Sequence, residues 1–170
     1  MISSELIRTL EDFIRRSACN VRIVCFGSPI HGDDAVGWIV YSTLKNVYNI
    51  PADFMNNDTW HIVSLVLKGY SVIAVDAVHI PDSKPCSIIL TQIDKSGVES
   101  GDTVTSHVTS IFNVVSKTSI DPDRVLLAGV SVNTQHLGLM KQVSKEVREA
   151  SKTLARLIHE ALDHVCRSSD

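Results

Sequence analysis

Aromatic residues make up only 5% of this 170-residue chain, and its 16 Lys and Arg, against 19 Asp and Glu, form no basic run. A nucleic-acid groove needs clustered cations and stacking rings, so that class of partner is disfavoured. No stretch approaches the ~18 apolar residues of a membrane span. Residues 1–16 alternate charged with apolar side chains and lack the uninterrupted apolar core of a signal peptide, so the protein is expected in the cytoplasm. The four cysteines, Cys19, Cys25, Cys86 and Cys166, show no CxxC spacing. Neither a thiolate metal site nor a disulfide framework is expected from them, and Cys25, inside an apolar run, reads as a small hydrophobe. HExxH is absent, and no hydroxyl or thiol stands beside a histidine and an acid in a recognisable nucleophile arrangement. Internal repeats, low-complexity tracts and linkers are lacking too.

What is present is a composition of 44% hydrophobic and 21% charged residues, which fits one domain spanning residues 1–170. A chain of this length hides roughly 70% of its unfolded surface on folding, enough for an ordinary apolar core without a structural metal. Any metal is then functional. Leu6, Ile7, Leu10, Phe13 and Ile14 recur at helical spacing, predicting an amphipathic helix over residues 4–16. Residues 21–27 and 71–78 are β-branched, apolar runs, the pattern of strands buried on both faces. Further strands are expected over residues 52–56, 87–91 and 124–132. Helices are expected after Asp34, over residues 60–68, around Val108 to Val115, and from Ser144 onward. Strands alternating with helices imply a three-layer α/β fold: a mostly parallel twisted sheet with helices on both faces. The strand at 87–91 follows too short a connection for a parallel crossover and should pair antiparallel at an edge. In such sheets ligands bind beyond the carboxyl ends of the strands.

Three polar groups fall at that rim. The loop Gly27-Ser28-Pro29-Ile30-His31-Gly32 delivers Asp33 and Asp34 to a helix start, where one carboxylate suffices to meet free backbone N–H groups and the helix dipole. Asp33 fits that structural role better than Asp34. Asp76 interrupts a wholly apolar strand, and burying an unpaired carboxylate costs on the order of 3 kcal/mol or more. It therefore needs a partner, either a loop amide or Arg22. His107 opens a helix, where the dipole disfavours imidazolium and suits a neutral ligand nitrogen. His31 and His79 compete with it for that role, whereas His159 and His164 read as exposed surface. Two carboxylates and an imidazole at one rim make an oxygen/nitrogen site for a divalent transition ion such as nickel or zinc. Dinucleotide binding is disfavoured, because the glycine spacing is wrong and the acid pair would repel a pyrophosphate.

The run from Gly27 to Gly37, the strand end Val75-Asp76-Ala77-Val78 and Ser106-His107 together resemble the three signature blocks of the hydrogenase maturation proteases. The likeness extends to Arg124-Val125-Leu126-Leu127-Ala128-Gly129-Val130 and to Val143-Ser144-Lys145-Glu146-Val147, in the family's order. The resemblance implies a phosphorylase/hydrolase-like α/β fold and an endopeptidase that trims a C-terminal extension from the large subunit of a nickel-iron hydrogenase after nickel insertion. Asp34, Asp76 and His107 are then the metal-contacting trio, with nickel carried in by the hydrogenase precursor. A non-catalytic relative that only binds a metal-bearing partner is the alternative. The chain has Ser28 where the family more often has Asn, Ala35 for a frequent Gly, and Asn56-Asn57-Asp58-Thr59 where an acid-Gly-Gly-Thr turn is common.

Overall fold

The structure, a computed structural model, describes residues 2–79, 84–93 and 106–167, with residues 2, 3, 106–109 and 134 described by backbone alone. In chain order its elements are α1 (Ile2–Arg16), β1 (Val21–Phe26), α2 (Val36–Asn46), β2 (Asp53–Met55), α3 (Trp60–Leu67), β3 (Ser71–Val78), β4 (Ile88–Gln92), α4 (Ser106–Lys117), β5 (Val125–Ser131) and α5 (Lys145–Leu162). The sheet runs β2-β1-β3-β5-β4. All neighbours are parallel except β4, which pairs antiparallel with β5 at the edge, as its short connection requires. Every residue of β3 and β5 is buried, which is why both read as continuous apolar runs. Among the described residues no helix is long and apolar enough to cross a membrane.

The sheet separates two cores. On one face α1, α2 and α5 place Leu10, Phe13, Val40, Leu154 and Ile158 against Ile23, Cys25, Ile73 and Leu126. On the other, α3 and α4 place Ile62, Val66, Ile111 and Val115 against Val24, Val72, Ala74 and Leu127. Helix α2 seats directly on the end of β1, because Gly37 has no side chain to strike the Phe26 backbone. That close approach fixes where the loop between them must turn.

Two local expectations are corrected. The acid pair does not begin the α-helix: Asp33–Ala35 form a single 3-10 turn and α2 starts at Val36, neither start being capped by a side chain. The buried carboxylate of Asp33 instead reaches across to the start of α5, accepting from the Ser144 backbone N–H at 2.7 Å and the Ser144 hydroxyl at 3.1 Å. Ser144 Oγ in turn accepts from Val147 N, so the acid braces the N-cap of a different helix.

The second correction concerns the cysteines, since Cys19 and Cys166 form a disulfide, with Cα atoms 5.8 Å apart across 147 residues of sequence. Cys19 lies in the turn after α1 and Cys166 in the π-helical turn Asp163–Arg167 that continues α5. The packing of α1 beside α5 brings them together, a tertiary consequence that cysteine spacing does not encode. Cys25 is the small buried hydrophobe expected.

Two stability predictions follow from these links. Asp33→Ala should lower unfolding free energy by about 3 kcal/mol in urea titrations, because charge-assisted hydrogen bonds contribute ~1.5–3 kcal/mol each; a loss below ~1 kcal/mol would make the brace dispensable. Cys166→Ser should cost about 4 kcal/mol against the oxidised protein, as expected for closing so long a loop. Unchanged melting of that variant, or of wild type in dithiothreitol, would remove the disulfide from the stability of the fold.

Candidate functional site

The carboxyl ends of β1, β3 and β5 point to one rim, and the loop after β1 is folded down over it. Gly27 adopts φ 118°, a conformation that disfavours any side chain, and a Cβ there would collide with the Asp34 carbonyl. The same Cβ would stand 3.8 Å from Asp76 Oδ1. Glycine thus lets the segment carrying Asp34 lie against the strand end beside the Asp76 carboxylate. Ser28 N donates to Asp34 O at 3.2 Å and Asp34 N donates to His31 O at 3.4 Å, closing the loop on itself.

Asp34 is half-buried and lines a groove of about 350 Å³ with Ser28, His31, Asn56, Asn57, Leu137 and Gly138. Asp76 is fully buried. Its neighbours on alternate positions, Ala74 and Val78, belong to the core shared with Ile111 and Val115, so its side chain faces the layer that holds α4. Asp76 Oδ1 accepts from the Ala77 amide at 2.8 Å. This partner is thus an amide of the same strand, that of the next residue, and not the loop amide expected. Arg22 is engaged elsewhere, over the Tyr70 ring at 4.8 Å. His107 occupies the first turn of α4, and its side chain lies outside the described residues.

The carboxylates also shape the thiols. Burial pushes the Cys25 thiol far up from its ordinary range, and the charges of Asp76 and then Asp53 push the same way. Cys86 is raised by burial, then by Asp33 and Glu146. Both thiols are thus held protonated, which suits neither a nucleophile nor a soft metal ligand. The donors available at this rim are oxygen and nitrogen. Among the described residues no three His, Cys, Asp or Glu side chains are grouped as a metal cage; at Gly27 the main-chain carbonyl of Asp34 and the carboxylate of Asp76 are neighbours.

The remaining histidines have local roles. His79 pairs through Nδ1 with the Val132 carbonyl at 3.2 Å, and His61 Nε2 meets Asp53 at 3.0 Å. His164 is exposed, as expected, and meets Glu11, but His159 is half-buried because its ring stacks on Tyr48 with centroids 4.3 Å apart. One pairing escaped the sequence reading: His31 Nδ1 lies 2.5 Å from Ser28 Oγ, both in the groove. The signal for it was Ser-Pro-x-His, a turn with proline at its second position that folds the fourth residue back on the first. The backbone bond from His31 N to Ser28 O, at 3.3 Å, closes that turn.

The sequence matches no protein-family model and none of the curated proteins. Solved structures do match. The NiFe hydrogenase maturation protease HybD from Thermococcus kodakarensis superposes with a TM-score of 0.66 over 82% of this chain and 97% of its own, at 14% identity. The maturation protease HycI from Thermococcus kodakarensis KOD1 gives 0.64 over 84% and 92%, at 22% identity. The hydrogenase maturating endopeptidase HybD from E. coli gives 0.58 over 88% and 99%, at 15% identity. Across most of its length, the chain has the α/β fold of the NiFe hydrogenase maturation proteases.

Proposed function

We propose that this protein is an endopeptidase that removes a C-terminal extension from the nickel-loaded large subunit of a nickel-iron hydrogenase. The observation that carries this reading is that the main chain of Asp34 and the carboxylate of Asp76 both border Gly27 at the carboxyl ends of the strands, in a chain with the maturation-protease fold. A carboxylate buried in an almost wholly apolar strand is a feature that clusters at functional sites.

In this reading nickel arrives as part of the substrate. Asp34, Asp76 and His107 supply two oxygens and one nitrogen, a donor set that suits nickel and also zinc. Asp34 meets the incoming precursor from the half-buried rim, while Asp76 forms the buried floor. Three donors leave coordination positions for ligands that the precursor already carries. Seating the cargo fixes the scissile peptide beside the groove, and a precursor without nickel lacks that anchor. The protein thereby couples cutting to completed metal insertion.

The test is mass spectrometry of a large-subunit precursor before and after incubation with the purified protein. Nickel-loaded precursor should lose a C-terminal peptide and nickel-free precursor should stay intact. Asp34→Ala, Asp76→Asn and His107→Ala should each slow cutting about 100-fold, since misplacement by ~1 Å has that scale of effect. Asp34→Ala should do so while losing no more than ~1 kcal/mol of stability, in contrast to Asp33→Ala. Efficient cutting of nickel-free precursor would overturn the metal-guided mechanism, and binding of loaded precursor without cutting would assign the protein to the non-catalytic alternative.

A further inference from the structure

The groove beside Asp34 holds a residue pair that the metal-anchoring reading leaves unused. Ser28 Oγ and His31 Nδ1 are 2.5 Å apart, and both side chains line the groove. The pair is rigidly mounted. Ser28 N is held by the Asp34 carbonyl, and the His31 carbonyl accepts from both Asp34 N and Gly138 N, the latter at 3.3 Å. The adjoining loop is tied in by Met140 N to Ile30 O at 2.8 Å and by a bridge between Gly32 and Leu137. Imidazole and hydroxyl are thus positioned by backbone bonds from two separate chain segments.

The short contact bears on where the ring's proton sits. Among the described residues, Nδ1 is the sole hydrogen-bond partner of Ser28 Oγ. If Nδ1 carried the proton and donated it, the hydroxyl hydrogen would be left to solvent. With the hydroxyl donating to Nδ1, the hydroxyl hydrogen is satisfied and the neutral ring carries its hydrogen on Nε2. Nε2 has no partner among the described residues, and the ring borders the open groove. A neutral imidazole N–H held in this way is a hydrogen-bond donor for an oxygen that gains negative charge.

We propose that His31 is a catalytic residue whose Nε2–H stabilises the oxyanion formed at the scissile carbonyl, with Ser28 as the positioning residue that sets its tautomer. The inference rests on the peptidase reading above and supplies a protein-borne group which that reading lacks. As water adds to the carbonyl carbon, the C=O π electrons move to oxygen and the new charge faces Nε2–H. Collapse of the adduct re-forms the carbonyl and breaks the C–N bond, and the proton from the attacking water ends on the departing amine. His31 exchanges no proton in the sequence. Its contribution is a fixed dipole aimed at the charge that develops, so it acts on the adduct more than on the bound precursor.

Two measurements test this. Long-range ¹H–¹⁵N correlation spectra of uniformly ¹⁵N-labelled protein at pH 8, with the His31 signals identified by their loss in His31→Gln, should show protonated Nε2 and unprotonated Nδ1. Ser28→Ala should mix the tautomers. In single-turnover cutting of nickel-loaded precursor, His31→Ala should lower the maximal rate about 100-fold with precursor affinity unchanged. His31→Gln, whose amide nitrogen reaches close to the position of Nε2, should recover about tenfold of that loss, and it serves as the working variant if alanine unsettles the loop. A wild-type His31 protonated at Nδ1, or equal cutting rates for wild type and both His31 variants, would overturn the proposal while leaving the peptidase reading intact. Failure of wild type to cut any loaded precursor would overturn both.

Discussion

The contact between the Asp33 carboxylate and Ser144 governs how the rest of the site is arranged. It spans 111 residues and joins the loop after β1 to the start of α5, reinforcing the ties that the same loop makes to residues 137–140. With Asp33 turned inward and buried, the next residue in the 3-10 turn is left at the rim, so Asp34 borders the groove. The two adjacent acids have divided labour: one carboxylate is consumed by the scaffold and the other faces the cavity. Ser144 completes the arrangement by capping α5, which shares one face of the sheet with α1 and α2.

Much of this was legible in the sequence because it depends on local rules. The runs at β1, β3 and β5 are apolar without alternation, and that pattern fits only strands covered on both sides. The antiparallel edge strand followed from chain length alone, since the connection between β3 and β4 is too short to cross over. Asp76 stood out because it breaks an apolar run, an incongruity readable without a structure. The features that were missed are pairings between distant or geometrically folded segments. Cys19 and Cys166 meet because α1 and α5 lie side by side, and Asp33 finds Ser144 through the path of a loop. Neither follows from spacing. The Ser28–His31 contact is local, but it becomes visible only once the proline turn is recognised as a device for bringing its first and fourth residues together.

Placing a carboxylate at the fully buried end of β3 has an electrostatic reach beyond its own hydrogen bonds. Its charge helps to hold the Cys25 thiol of the neighbouring strand protonated, even though the two side chains belong to opposite faces of the sheet. The field of one buried carboxylate is therefore felt on both sides of the sheet.

The covalent link between Cys19 and Cys166 changes the topology of the molecule under load. It closes the polypeptide from Cys19 to Cys166, a sequence separation of 147, into a ring that leaves α1 outside it. A pull on the two chain ends is therefore carried from Cys19 to Cys166 through sulfur, and the sheet between them bears none of the tension. Because Cys19 lies just before β1 begins, this closure is at the opposite pole of the sheet from the groove. A protease that threads substrates from either terminus would stall at the ring, whatever occupies the distant rim.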